Sequence, residues 1–188
     1  MNRRTLLVLA ALLAVAPVTW AAFKPIRVVA PEWVGMTCQG RVCVESPAHL
    51  AAAQALYRDA LAFVDARVGR IAAPPRMAFC STLACSRRFG FTSQGAYTVG
   101  TSGIAISHRG WAPYFARHEL IHHLQNERLG TLRAGFFKPA WWREGMAYSL
   151  SEDPRRPLPA SLEGLRAHYE TWAGSQRGRD VWQAAASL

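Results

Sequence analysis

Two histidines four residues apart, with a glutamate beside the first, place the tightest constraint on this chain: His118-Glu119-Leu120-Ile121-His122. On an α-helix, side chains at i and i+4 stand one above the other on the same face, so both imidazoles can reach one metal ion. Glu119 lies about 100° round such a helix from His118, where it can act as a base on water at the metal without being a ligand itself. Catalytic zinc sites usually offer three protein ligands and leave a fourth position to water. The fold must therefore hold this helix face against a cleft and bring a third donor to it from elsewhere.

The helix is predicted to run from about Pro113 to Leu129, with Gly130 as its C-terminal stop. Candidates for the third ligand are Glu127, Glu144, Glu152, Asp153 and His168. Glu127 is on the same helix but rotated well off the histidine face. Glu144 begins a second helix, predicted over 141–151, after a linker with Gly135 that is long enough to reverse the chain direction. It can approach the histidines from a facing element. Gly145 and Ala147 beside it would let two helices pack closely near the metal, and Trp141 reads as core packing for the second helix.

His118 to His122 together with Pro139-x-Trp141-x-x-Glu144-Gly145-x-Ala147 resembles the gluzincin group of zinc metallopeptidases, in particular the small bacterial peptidase-MA-like domains. The match covers roughly residues 111 to 150. It implies a zincin-like α+β domain: a small, mainly antiparallel sheet, then the histidine helix and a facing helix that carries the glutamate. It implies Zn²⁺ held by His118, His122 and Glu144, Glu119 as general base, and hydrolysis of peptide bonds in peptide or protein substrates. It also implies a sheet edge beside the cleft, which would make Gly103 to Ser107 the substrate-pairing strand. Some gluzincins carry an acidic residue one turn after the zinc-binding glutamate; here Tyr148 occupies that place. A downstream Tyr or His commonly stabilises the oxyanion, for which Tyr148, His168 and Tyr169 are the candidates.

Residues 1 to 21 read as a secretory signal. Arg3 and Arg4 precede an apolar run from Leu6 to Val15, and Thr19-Trp20-Ala21 offers a cleavage site. An apolar run of roughly a dozen residues is short for a bilayer-spanning helix, which needs about 20. Cleavage after Ala21 is the leading expectation, an uncleaved N-terminal anchor the alternative. Residues 22–188 would then form one domain, periplasmic or secreted and not membrane-spanning. The four cysteines fall in two pairs of equal spacing, Cys38 with Cys43 and Cys80 with Cys85, and an even count in an exported chain reads as two local disulfides, each enclosing a turn.

Upstream of the histidine helix, Ile26 to Ala30 and Val42 to Val44 suggest a strand or hairpin around the first cysteine pair. Ser46-Pro47 opens a long helix whose buried face carries Leu50, Ala53, Tyr57, Ala60, Leu61, Val64, Val68 and Ile71, and Pro74-Pro75 stops it. Strand-like runs follow at Met77–Cys80, Ala96–Val99 and Gly103–Ser107, and a last helix at about 160–173. With 22 Lys and Arg against 12 Asp and Glu the formal net charge is +10. The basic residues are scattered, so they read as a solvated face. Anionic cell-envelope polymers would be natural neighbours, and no pattern marks a specific nucleic-acid site. The remaining histidines, His49, His108 and His123, read as ordinary, with His123 rotated towards solvent or a supporting partner. No G-x-S-x-G context surrounds a serine. The function expected from a rival class is a weakly catalytic or non-catalytic gluzincin-like domain that binds an envelope partner.

Overall fold

Short β-branched and apolar runs build the centre of the molecule. The computed structural model describes residues 22–176 and 179–188, with 2, 5, 19 and 20 besides, so apart from those four residues the signal read over 1–21 lies outside the described part. Five strands, β1 (Thr37–Gln39), β2 (Val42–Val44), β3 (Met77–Phe79), β4 (Ala96–Val99) and β5 (Gly103–Ile106), form one sheet in the order β1-β2-β3-β5-β4. The pairs β2/β3 and β3/β5 are parallel, while β1/β2 and β4/β5 are antiparallel. The sheet is thus mixed, not mainly antiparallel. The reason is the connection between β2 and β3, which contains a helix of 18 residues and works as a crossover rather than a hairpin. Central parallel strands are covered on both faces, and β2, β3 and β5 are buried at every position.

Side-chain alternation divides the core in two. Val42, Val44, Met77, Phe79, Ile104 and Ile106 point to one side of the sheet, where they meet the long helices. Cys43, Ala78 and Ala105 point to the other, into a smaller cluster with Val28, Met36, Cys80, Cys85, Phe89 and Phe91. The run Ile26–Ala30 belongs to this second layer. It is no strand: Lys24–Val29 and Pro31–Val34 are 3-10 turns, each with proline in its first positions. Proline fixes φ near the helical value and forces the preceding residue into an extended conformation, which punctuates the chain into short turns.

Helix α1 (Leu50–Arg67) follows a 3-10 turn at Pro47–His49 and buries Ala53, Tyr57, Ala60 and Val64. Ser46 precedes it in an extended conformation, but its side chain makes no capping bond. The helix stops before Val68. Ile71 is buried from the following loop, where its N–H donates to Asp65 Oδ1 (2.9 Å). Both disulfides pair as the spacing suggested. Cys38–Cys43 joins partners facing each other across β1 and β2. Cys80–Cys85 ties the end of β3 to α2 (Leu83–Arg88), a helix where only a turn was expected. Thr82 caps it by accepting from the Cys85 N–H (3.1 Å).

The histidine helix α3 spans Pro113–Leu129, and Gly130 at φ +83° ends it. The expected linker contains a π-helical turn at Arg133–Phe137. Then come α4 (Ala140–Leu150), α5 (Ala160–Ser175) and a short α6 (Val181–Ala186) that sequence reading did not anticipate. A Cβ on Gly145 would lie 2.2 Å from the Leu165 carbonyl oxygen and 2.7 Å from Tyr169 Cβ. Gly145 therefore permits close contact between two helices, and the pair it serves is α4 and α5. Among the described residues no helix is long and apolar enough to cross a membrane.

Candidate metal centre

Helix α3 is anchored on the sheet through Ala116, Leu120, Ile121 and Leu124, all in the main core. The histidines sit on the adjacent flank, which faces α4. Their Nε2 atoms are 3.0 Å apart. Helix α4 is fixed by Trp142, which is fully buried and edge-on to Trp182. This places Glu144 Oε2 3.6 Å from His118 Nε2 and 3.3 Å from His122 Nε2. One ligand atom from each residue lies within 4.8 Å of the others.

These distances fit a small divalent cation. Ligands about 2.0–2.1 Å from a tetrahedral ion stand about 3.3 Å from one another, and the three edges here, 3.0, 3.3 and 3.6 Å, bracket that value. The donors, two imidazoles and one carboxylate, are of the kind that hold divalent metal ions. Electrostatics agree. Burial opposes ionisation of Glu144, but hydrogen bonding from His118 and His122 outweighs it and holds the carboxyl well below the usual range. For His122, burial pulls the imidazole down, yet Glu144 and then Glu119 outweigh it and leave it raised. The site is thus built to hold positive charge. A second cluster, Glu32 with Cys38 and Cys43, has its sulfurs committed to a disulfide.

Supporting residues surround this triad, and most were invisible in the sequence. Gln125 Oε1 lies 2.9 Å from His122 Nδ1, and Gln125 Nε2 donates to the Arg143 carbonyl (3.0 Å). With Gln125 oriented in this way, His122 Nδ1 carries the proton and Nε2 presents its lone pair to the metal position. The i, i+3 spacing from His122 was the available signal for Gln125. Thr98, on β4, donates to Glu119 Oε2 (2.8 Å) and reaches the Glu119 carbonyl (2.9 Å). No local pattern links these two, because they are 21 positions apart. Glu119 is only 6% exposed and borders the same cavity as the triad without joining it. Arg143 Nε sits 3.2 Å from Glu144 Oε1, which leaves Oε2 to face the histidines.

Of the three oxyanion candidates, the fold brings only Tyr148 to the cavity. Its ring stands edge-on to His118, with centroids 4.5 Å apart. Burial, reinforced by Glu144, raises its phenol and keeps it a proton donor. His168 instead stacks on Trp141 (4.2 Å, 13°). Tyr169 is buried in the core, with its phenol pushed up to about 12 by burial. Neither borders the cavity. Among the other carboxylates, Glu127 accepts from the Ala72 and Ala73 N–H groups and Glu152 pairs with Arg117. Asp153 lines the cavity but is held by Arg155. His123 does not face solvent: it is 1% exposed, and its Nε2 meets the Ala73 carbonyl (3.0 Å). His108 Nδ1 meets Ser86 Oγ (2.9 Å), and His49 lies against Trp111.

The cavity, about 730 Å³, runs between β4, α3, the Arg133–Phe137 turn and α4. The strand beside it is β4. The run Gly103 to Ser107 was expected at the edge, but its strand β5 lies between β3 and β4 and has no free side for a substrate. The hairpin turn after Val99 folds the later strand inwards, against the parallel β3, and leaves the earlier one at the rim. No protein-family profile, curated protein or solved structure matches the chain.

Proposed function

We propose that this protein is an exported zinc-dependent metallopeptidase of the gluzincin type, with a zincin-like fold, acting on peptide or protein substrates in the cell envelope. The observation that carries the reading is the convergence of His118, His122 and Glu144 on one point of a cleft that Glu119 borders without ligating. Two disulfides suit an oxidising compartment such as the periplasm or the exterior.

His118 and His122 would hold zinc through Nε2 and Glu144 through Oε2. The ion supplies Lewis acidity, which polarises a carbonyl and makes water a better acid. The chain's own residues do the rest. Glu119 takes the proton from the attacking water and returns it to the leaving nitrogen. Thr98 keeps the Glu119 carboxylate turned towards the cleft. Tyr148, protonated and beside His118, is placed to donate to the oxygen on which charge develops. The exposed edge of β4 offers backbone groups to an extended peptide.

A pure binding domain has no need of Glu119. The test is Glu119→Gln against the wild type, scored for zinc content, peptide cleavage and complementation of a deletion strain. Loss of cleavage and complementation with zinc retained is the expected result. General acid–base assistance is worth roughly 10²–10⁴ in rate, about 3–5 kcal/mol of barrier. Full complementation by Glu119→Gln would instead favour a domain that binds an envelope partner.

A further inference from the structure

Of the charges that line the cleft, two have no ion pair among the described residues, Glu119 and Arg109. Glu119 accepts from Thr98, Glu144 faces the histidines and Arg143, and Asp153 receives the Arg155 guanidinium through Nε (2.9 Å) and Nη2 (2.5 Å). Arg143 is further held by the Gly135 carbonyl (2.7 Å). Arg109 also lines the cleft and is exposed. Among the described residues its backbone N–H donates to Ser107 Oγ (3.2 Å), and its guanidinium has no ion pair or hydrogen bond.

The surroundings of Arg109 make this charge usable. Its neighbour Gly110 lies so close to Gly95 that a Cβ there would fall 2.2 Å from the Gly95 carbonyl oxygen. Gly95 in turn lies against the Phe115 ring. The loop bearing Arg109 is thereby pinned beside the start of the edge strand β4. Arg155 stands over the Tyr114 and Phe115 rings at 5.0 and 5.2 Å, at the same end of the cleft. Once Asp153 has neutralised Arg155, Arg109 is the unpaired positive charge at this end of the cleft.

We propose that Arg109 is a specificity residue that selects substrates carrying a carboxylate. This rests on the peptidase reading of the cleft and adds the chemical class of its substrate. A planar guanidinium binds a carboxylate through two parallel N–H···O bonds, and the strongly basic surface draws acidic peptides towards the cleft. The carboxylate can come from an acidic side chain or from a peptide C-terminus.

Fluorescence anisotropy on the zinc-loaded full chain carrying Glu119→Gln, which prevents turnover, separates these sources. Three labelled probes suffice: an amidated peptide with two glutamates, a peptide with a free C-terminus and no acidic side chain, and a neutral amidated peptide. At least one carboxylate probe should bind about tenfold or more tighter than the neutral one, the size expected for a charge-assisted pair. Which of the two does so identifies the source. Adding Arg109→Gln should remove most of the difference, and Arg109→Glu should shift preference to an amidated lysine peptide. Circular dichroism should show an unchanged fold in both, since among the described residues the Arg109 guanidinium makes no hydrogen bond or ion pair. Equal binding of the three probes, or unaltered discrimination by Arg109→Glu, overturns the proposal. Cleavage by the otherwise wild-type chain is scored separately. Carboxylate-selective binding without cleavage defeats the peptidase reading alone, and cleavage without carboxylate preference defeats only the role of Arg109.

Discussion

The two faces of the sheet solve the same packing problem by different means. On one face α1 and α3 bury a broad cluster that includes Tyr57, Phe79, Leu120 and Trp142. On the other, 3-10 turns and a six-residue helix cover a small cluster in which Cys43, Cys80 and Cys85 take part. A thin layer of short turns buries too little apolar surface to offset the entropy of ordering it, and disulfides make up the difference by restricting the unfolded chain. The three residues that could hold a metal ion lie wholly on the helical side. Substitutions there should change metal affinity, and substitutions on the disulfide side should change stability alone.

The sharpest test of this division is on the ligands. His118→Ala removes one of three donors, so zinc affinity should fall by more than the roughly 10–100-fold typical of losing an orienting partner. Gln125→Ala, which frees His122 Nδ1, should fall within that roughly 10–100-fold range. Competition with a chromophoric chelator measures both, and near-wild-type affinity for His118→Ala would mean the site is drawn wrongly. Next in size is Gly145→Ala. The added methyl meets the Leu165 carbonyl at 2.2 Å, and overpacking of this kind costs about 1–3 kcal/mol. Because α4 carries Glu144, the urea midpoint and the zinc affinity should drop together. A drop in stability alone would show that α4 shifts without disturbing its ligand.

On the other face the effects should be smaller and should leave the metal untouched. Replacing Cys80 and Cys85 together by alanine should cost about 2 kcal/mol in the chain-entropy treatment of a short loop. Zinc affinity should stay at the wild-type value, and a parallel loss would erase the distinction between the two faces. The smallest effect concerns Glu45, at the end of β2. Burial would raise its carboxyl, but Thr82 and Ser81, through hydroxyl and backbone N–H donors, outweigh it and hold the group below its ordinary value. A folded-state pKa below the unfolded one means stability that is complete above the ordinary carboxylate range and lost as the pH falls through the folded value. Urea midpoints taken from pH 7 downwards should therefore fall more steeply for the wild type than for Glu45→Gln. Identical acid limbs would mean that the Ser81 and Thr82 donors do not favour the ionised form of Glu45.

Local chemistry determined much of this protein. The histidine pair, the bounds of α3 from Pro113 to Gly130, the positions of β3, β4 and β5, and both disulfide pairings follow from spacing, proline and glycine placement, and short loop closure. The approach of Glu144 to the histidines was readable for the same reason, since a reversing linker leaves a helix few places to go. What involves partners distant in sequence was decided only by tertiary structure. The runs of β2, β3 and β5 are equally compatible with parallel and antiparallel pairing; the crossover through α1 made β2 and β3 parallel, and the return through α2 and β4 did the same for β3 and β5. The edge position went to β4 rather than β5 because strand order depends on which neighbours bury which face, a property no single run carries. Gly145 serves α5, Thr98 orients Glu119, and His123 lies beneath the Ala72–Ala73 loop, each through contacts that local periodicity does not encode. Of three residues with suitable chemistry downstream, only Tyr148 was delivered to the cleft: one turn of helix separates it from Glu144, whereas His168 and Tyr169 belong to a helix whose packing turns them away.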